Sequence, residues 1–175
     1  MSTLSIQSIE VITSQFKLPN LGLDTAGYSL VYQKGSSKSV KAYGVRVHCT
    51  SGLVGEYVGG DAVGVAQMNK FADTLIGKNP LQREQIYNDL KRCLRKFDKM
   101  GMGMIDLPLW DLAGKHYGAP VFELLGGWRT RLDAYASTMS GDRNGGLDSP
   151  EAFADFAVQC KSLGYRGYKL HVWDD

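Results

Sequence analysis

The sequence predicts an α/β protein: an antiparallel β region, then a run of helices, then the opening strand–helix–strand unit of a parallel sheet. Three observations carry this. Residues Ser5 to Val58 hold alternating Ile- and Val-rich segments broken by Gly-containing turns. After Asp61 the apolar spacing changes to the helical period. A strand candidate, a capped helix and a second strand candidate then follow one another between Leu132 and Trp173. Two parallel strands alone leave both faces bare. The sheet is therefore expected to be completed by polypeptide beyond Asp175.

The first strand is predicted over Ser5 to Ser14, with Ile6, Val11 and Ile12 as core residues. Pro19 to Gly27, with Pro, Asn and Gly, reads as a loop. Val40 to Cys49 and Leu53 to Val58 form a hairpin across the turn Thr50-Ser51-Gly52. Met68, Phe71, Ala72, Leu75 and Ile76 share one helical face after an Asp61 cap, and Ile86, Leu90, Cys93, Leu94 and Phe97 share the next. Met104, Leu107, Trp110, Leu112 and Ala113 continue as a third helix, which Pro108 should kink or open. A short turn, Val121 to Leu125, runs into Gly126-Gly127. Leu132 to Ala136 is a strand candidate, and the Gly- and Ser-rich stretch Ser137 to Asp148 a long loop. Ser149-Pro150-Glu151 is a strong helix start: Ser caps, Pro suits the first turn, and Glu favours the positive end. Phe153, Phe156, Ala157 and Cys160 are its buried stripe, Gly164 its stop, and Tyr168 to Trp173 the closing strand.

Composition excludes several classes. The chain has 175 residues, 43% hydrophobic, enough to bury a core. With 20 Lys and Arg against 18 Asp and Glu, the balance gives no electrostatic case for nucleic acid or an anionic membrane. The cluster from Lys91 to Lys99 is interrupted by Cys93, Leu94 and Phe97 and reads as the solvated face of an amphipathic helix. Cys49, Cys93 and Cys160 are odd in number and far apart, so buried reduced thiols in a cytoplasmic protein are expected. The N-terminus lacks a secretory signal, and no stretch approaches a transmembrane span.

The chemistry is sought in the last strand. Side chains alternate across a sheet, so Tyr168, Leu170 and Val172 form an apolar face suited to helices, and Lys169, His171 and Trp173 share the other. In a β/α-barrel that second face points inward, and strand C-terminal ends carry the active site. Lys and His are costly to bury, so two on one inward face need a reason. Adjacent cations work against both being charged at once, which leaves a group able to accept a proton. The competing reading puts both on an exposed face of an edge strand. His48 and His116 read as structural or surface residues, and Asp106 and Asp111 as solvent-facing or capping groups. There is no GxGxxG, P-loop or HExxH.

The run Ile105-Asp106-Leu107-Pro108-Leu109-Trp110-Asp111-Leu112-Ala113-Gly114-Lys115, followed by Gly118-Ala119-Pro120-Val121 and Leu124-Leu125-Gly126-Gly127, resembles the enolase superfamily in its mandelate racemase and muconate lactonizing enzyme branch. The resemblance covers nearly the whole chain. It implies an α+β capping domain, an antiparallel sheet plus helical bundle, over residues 1–127, and over 128–175 the first two strands of an incomplete (β/α) TIM-type barrel. In that family the second strand ends in Lys-x-Lys, whose second lysine takes a proton from the carbon beside a carboxylate. The matching positions are Lys169 and His171, so His171 is implied as the base and Lys169 as its electrostatic neighbour. His in place of Lys is a departure that leaves open which of the two abstracts the proton. Leu21, Tyr28 and Tyr57, in the two regions matching the family's closing loops, are candidate substrate contacts, with simple packing of the cap as the competing role.

The resemblance further implies Mg²⁺, held by carboxylates on barrel strands beyond this chain. A small hydroxy-acid or sugar-acid substrate and a homo-oligomer also follow from it. The whole protein would then be a racemase, isomerase or dehydratase (a lyase), and this stretch alone inactive. The rival from another class is a non-catalytic capping-domain module that binds a partner or ligand.

Overall fold

The computed structural model describes residues 4–24, 26–138 and 145–171. The described chain forms two compact units, one of Met1–Gln15 with Lys41–Trp128 and one of Phe16–Val40 with Arg129–Asp175. Among the described residues no helix is long and apolar enough to cross a membrane.

In the first unit, parts of β1 (Ile6–Leu23) and β2 (Leu30–Cys49) join β3 (Val54–Val58) in an antiparallel sheet of order β1-β2-β3. The hairpin register sets Val45 opposite Tyr57 and Val47 opposite Gly55. Val45, Val47 and Cys49 alternate inward, as a half-buried strand requires. They meet a core of Ile6, Met68, Phe71, Leu75, Ile86, Leu90, Leu94, Met104, Ile105, Leu109 and Leu112. Apart from Ile6 of β1, those residues come from α1 (Ala62–Met68), α2 (Ala72–Leu75), α3 (Arg83–Cys93) and α4 (Met100–Tyr117), and from the turns between them.

Helix α4 organises this unit by packing on β3, α1 and α3. It also solves the problem of an exposed strand edge. Asp111 accepts the Glu56 amide at 2.8 Å, and the Lys115 ammonium donates to the Val54 carbonyl at 2.8 Å. Lys115 also pairs with Asp111 and Glu56. The hydrogen bond to Asp111 is the main reason its ammonium is held above the ordinary lysine range. Asp111 thus finishes a β-strand from the side of a helix. Contact at this seam is close. A Cβ on Gly55 would lie 2.0 Å from the Pro108 carbonyl oxygen and 2.8 Å from Leu112 Cβ.

Several expectations need correction here. Pro108 does not open α4: it sits buried in the middle, and the helix begins at Met100. The proposed single face from Met68 to Ile76 is broken, because the amides of Lys70 and Phe71 turn back tightly onto Gln67 and Met68. Ile76, Phe97, Leu107 and Val11 are exposed. Cys93 is exposed as well, unlike Cys49 and Cys160. The Asp61 cap is present, accepting the Gly64 amide at 2.8 Å.

In the second unit the β1–β2 ribbon extends past the expected loop. Pro19 to Leu23 are strand, and β2 begins at Leu30, not Val40. This ribbon is largely exposed on both faces, so it carries no apolar alternation to read. Side chains replace part of its ladder: Asn20, at φ 55°, accepts the Gly35 amide, and Ser36 Oγ donates to the Leu21 carbonyl. Strand β4 (Tyr135–Ser137) lies further along than expected, leaving Leu132 exposed. After the short helix α5 (Val121–Leu124) of the first unit, the last helix is α6 (Pro150–Ser162). It begins as expected, Ser149 accepting the Ala152 amide at 3.1 Å. Strand β5 (Gly167–Lys169) pairs parallel with β4. Val172 and Trp173 lie outside the described residues.

Two outcomes test these contacts. Gly55→Ala loses about 2 kcal/mol or more of stability, because a backbone oxygen has to give way; an unchanged urea midpoint contradicts the seam. Burial pushes the Asp106 carboxyl above its ordinary value, against the pull of Arg83 and Trp110. The folded state therefore favours protonated Asp106, and the stability this brings is lost as pH rises through the raised value. Asp106→Asn is expected to melt higher than the native protein at pH 7, with the gain vanishing as pH falls toward 3.8. A gain that persists in acid contradicts this.

Candidate active site

The site begins from a register. Ala136 lies opposite Tyr168, and Ser137 opposite Lys169. On one face, Tyr168 and Leu170 line an apolar groove with Phe153, Ala154 and Ala157 of α6, and the Tyr168 ring meets Phe156 edge-on at 6.2 Å. Alternation then puts Lys169 on the face away from α6, where it is exposed. His171, two residues on and half-buried, follows Lys169 past the end of β5.

Thr138 ties these groups together. Its amide donates to the Lys169 carbonyl at 3.1 Å, extending the ladder one rung beyond β4. Its hydroxyl accepts the His171 amide at 3.0 Å. Its carbonyl meets the His171 ring at Nδ1 and also receives Ser137 Oγ at 3.2 Å. Thr138 is 2% exposed, so this cluster is sheltered although Lys169 is not. Sequence reading assigned Thr138 to a loop. Only the register shows that it meets the Lys169 carbonyl, the His171 amide and the His171 ring.

The three candidate substrate contacts are placed differently from one another. Tyr28 is 90% exposed, at the turn between β1 and β2. The Asp24 carboxylate holds that turn, accepting the amides of Tyr28 at 2.8 Å and Ser29 at 3.0 Å. Burial pushes the Asp24 carboxyl up, but these amides and that of Gly27 together bring it below its ordinary value. The tyrosine is therefore presented from a braced turn. Leu21 is half-buried in β1, and its carbonyl is taken by Ser36. Tyr57 lies in the first unit, half-buried against the core, with its hydroxyl packed where a Cβ on Gly59 would sit. Among the described residues, no three His, Cys, Asp or Glu side chains cluster so as to hold a metal ion.

A family model for the mandelate racemase / muconate lactonizing enzyme N-terminal domain matches residues 32–126. D-galactarolactone cycloisomerase from Agrobacterium fabrum is 39% identical over 136 residues, which are 73% of this chain and 35% of that protein. The crystal structure of D-glucarate dehydratase from Agrobacterium tumefaciens complexed with magnesium aligns with a TM-score of 0.81 at 31% identity, covering 97% of this chain and 45% of that one. A dipeptide epimerase from Enterococcus faecalis, complexed with Mg and the dipeptide L-Leu-L-Tyr, aligns with a TM-score of 0.72 over 95% of this chain and 46% of its own; at 22% identity it shares the fold alone. The chain thus spans less than half the length of each of these relatives. Its fold, a sheet-and-helix cap followed by two parallel strands, and the family match over residues 32–126 lead to one conclusion: the chain belongs to the enolase superfamily, in its mandelate racemase / muconate lactonizing enzyme branch.

Proposed function

We propose that this chain is the N-terminal portion of a Mg²⁺-dependent enzyme that removes the proton next to a substrate carboxylate, as a racemase, isomerase or acid-sugar dehydratase. The observation that carries this is the pairing of β4 with β5, which turns Lys169 away from α6 and sets His171 beside the end of β4. In a β/α-barrel, the face away from the helices is the interior and the strand C-terminal end is where substrate sits. The names of two relatives, a D-galactarolactone cycloisomerase and a D-glucarate dehydratase, favour a sugar acid over a simple hydroxy acid.

In this reading His171 accepts the α-proton, and the electron pair of the broken C–H bond passes into the carboxylate as an enediolate. The Lys169 ammonium stands beside the developing negative charge. Leu21, Tyr28 and Tyr57 are the proposed substrate contacts. The described residues contain no fitting metal site, so no step is assigned to the ion; bound elsewhere in the protein, Mg²⁺ would supply charge for the enediolate. Residues 1–127 are then the capping domain and 128–175 the start of the barrel. The whole protein is proposed to be cytoplasmic and a homo-oligomer.

The test is α-proton exchange in D₂O, followed by proton NMR on a panel of sugar acids, with the protein extended through its remaining barrel strands and supplied with Mg²⁺. Loss of a general base costs roughly 10²–10⁴-fold. His171→Asn is expected to lose that much, Lys169→Met to lose rate as well, and the 175-residue chain alone to show no exchange. Unimpaired exchange in both variants contradicts the proposal.

A further inference from the structure

We propose that Thr138 is a positioning residue that fixes the neutral tautomer of His171, with the proton on Nδ1 and the lone pair on Nε2. The significance for catalysis rests on the reading of His171 as a base; the tautomer does not.

The parallel ladder shows what is unusual. In such a ladder a residue donates its amide to one partner carbonyl and offers its own carbonyl to the amide two residues further along the partner strand. Thr138 donates to the Lys169 carbonyl at 3.1 Å, so the next rung should run from the His171 amide to the Thr138 carbonyl. It does not. The His171 amide goes to Thr138 Oγ1 at 3.0 Å. The hydroxyl can in turn donate to the Lys169 carbonyl, 3.3 Å away. The Thr138 carbonyl is thereby left to the imidazole, which meets it through Nδ1.

A carbonyl oxygen can only accept, so Nδ1 must carry the hydrogen. A neutral imidazole has one N–H, which leaves the acceptor lone pair on Nε2. A carbonyl has two lone pairs, so the Ser137 hydroxyl can share it at 3.2 Å without displacing the ring. The hydroxyl at 138 thus acts through the backbone: by satisfying an amide, it frees a carbonyl to orient the ring. Valine keeps the shape of threonine but cannot accept that amide. In Thr138→Val the amide would reclaim the carbonyl, and the ring would lose its anchor. Thr138→Ser retains the acceptor.

The experiment is ¹⁵N–¹H correlation NMR of the protein labelled in its imidazole nitrogens. The His171 signals are assigned by their disappearance in His171→Asn, which separates them from His48 and His116. A histidine free in water favours the opposite tautomer, with the proton on Nε2, so the outcomes are distinct. At a pH where the imidazole is neutral, the native protein and Thr138→Ser should show Nδ1 protonation as the major form, the ratio shifted by about fivefold or more from that of free histidine for one net hydrogen bond. Thr138→Val should lose or reverse that excess. A proton on Nε2 in the native protein overturns the proposal, whatever Thr138→Val does, including failing to fold. So does an unchanged Nδ1 excess in a folded Thr138→Val. If Nδ1 is protonated and depends on the hydroxyl, yet His171→Asn exchanges substrate protons normally, the tautomer assignment stands and the proposed function falls.

Discussion

Two short parallel strands, joined with Ala136 opposite Tyr168, are the constraint on which the rest of the candidate site depends. That register settles which side chains meet α6 and which do not. Tyr168, half-buried, and Leu170, more exposed, line the apolar groove with Phe153 and Ala157, and a slip by one residue would send Lys169 into that groove. The helix is itself well anchored at its start by the Ser149 cap, and a tight Gly164 (φ 95°) returns the chain toward β5. The side on which Lys169 lies thus follows from the register and the apolar face opposite it, while His171, past the end of β5, is held by Thr138.

The cap unit obeys the same economy with different parts. Its core is apolar and continuous, but its outer strand would expose backbone groups if α4 did not complete it. Asp111 and Lys115, one turn apart, take an amide and a carbonyl of β3, and their mutual ion pair keeps both in place. Gly55 permits the approach. The stretch with the family's strongest resemblance in this sequence is thus also the one that holds sheet and helices together.

Much of this was legible from residues alone, and the failures have physical causes. Ser149-Pro150-Glu151 and Asp61 announce helix starts because capping is local chemistry. The alternation of Tyr168, Lys169 and Leu170 was readable because one face of that strand is apolar and lines a groove with α6. The β1–β2 ribbon was underestimated because most of its outer part is exposed, with Val31 the one buried side chain there among the described residues, so polar and apolar residues carry little period. Of the two roles expected for Pro108, the first-turn one fails, because the helix begins eight residues earlier at Met100. Thr138 could not have been found by composition or spacing: its role comes from a hydroxyl substituting for a carbonyl in a ladder, and the ladder exists only once β4 and β5 meet. Asp24 was overlooked in the same way, as one polar residue in a polar turn until its amide partners were seen.

The central claim is which way the last strand faces. Nuclear Overhauser contacts in the isotopically labelled protein read this directly. The Tyr168 ring should show contacts to Phe153 and Phe156, while Lys169 shows contacts to Ser137 and none to α6. Contacts from the Lys169 or His171 side chain to Phe153 or Ala157 would contradict the account, since the pair would then lie under the helix.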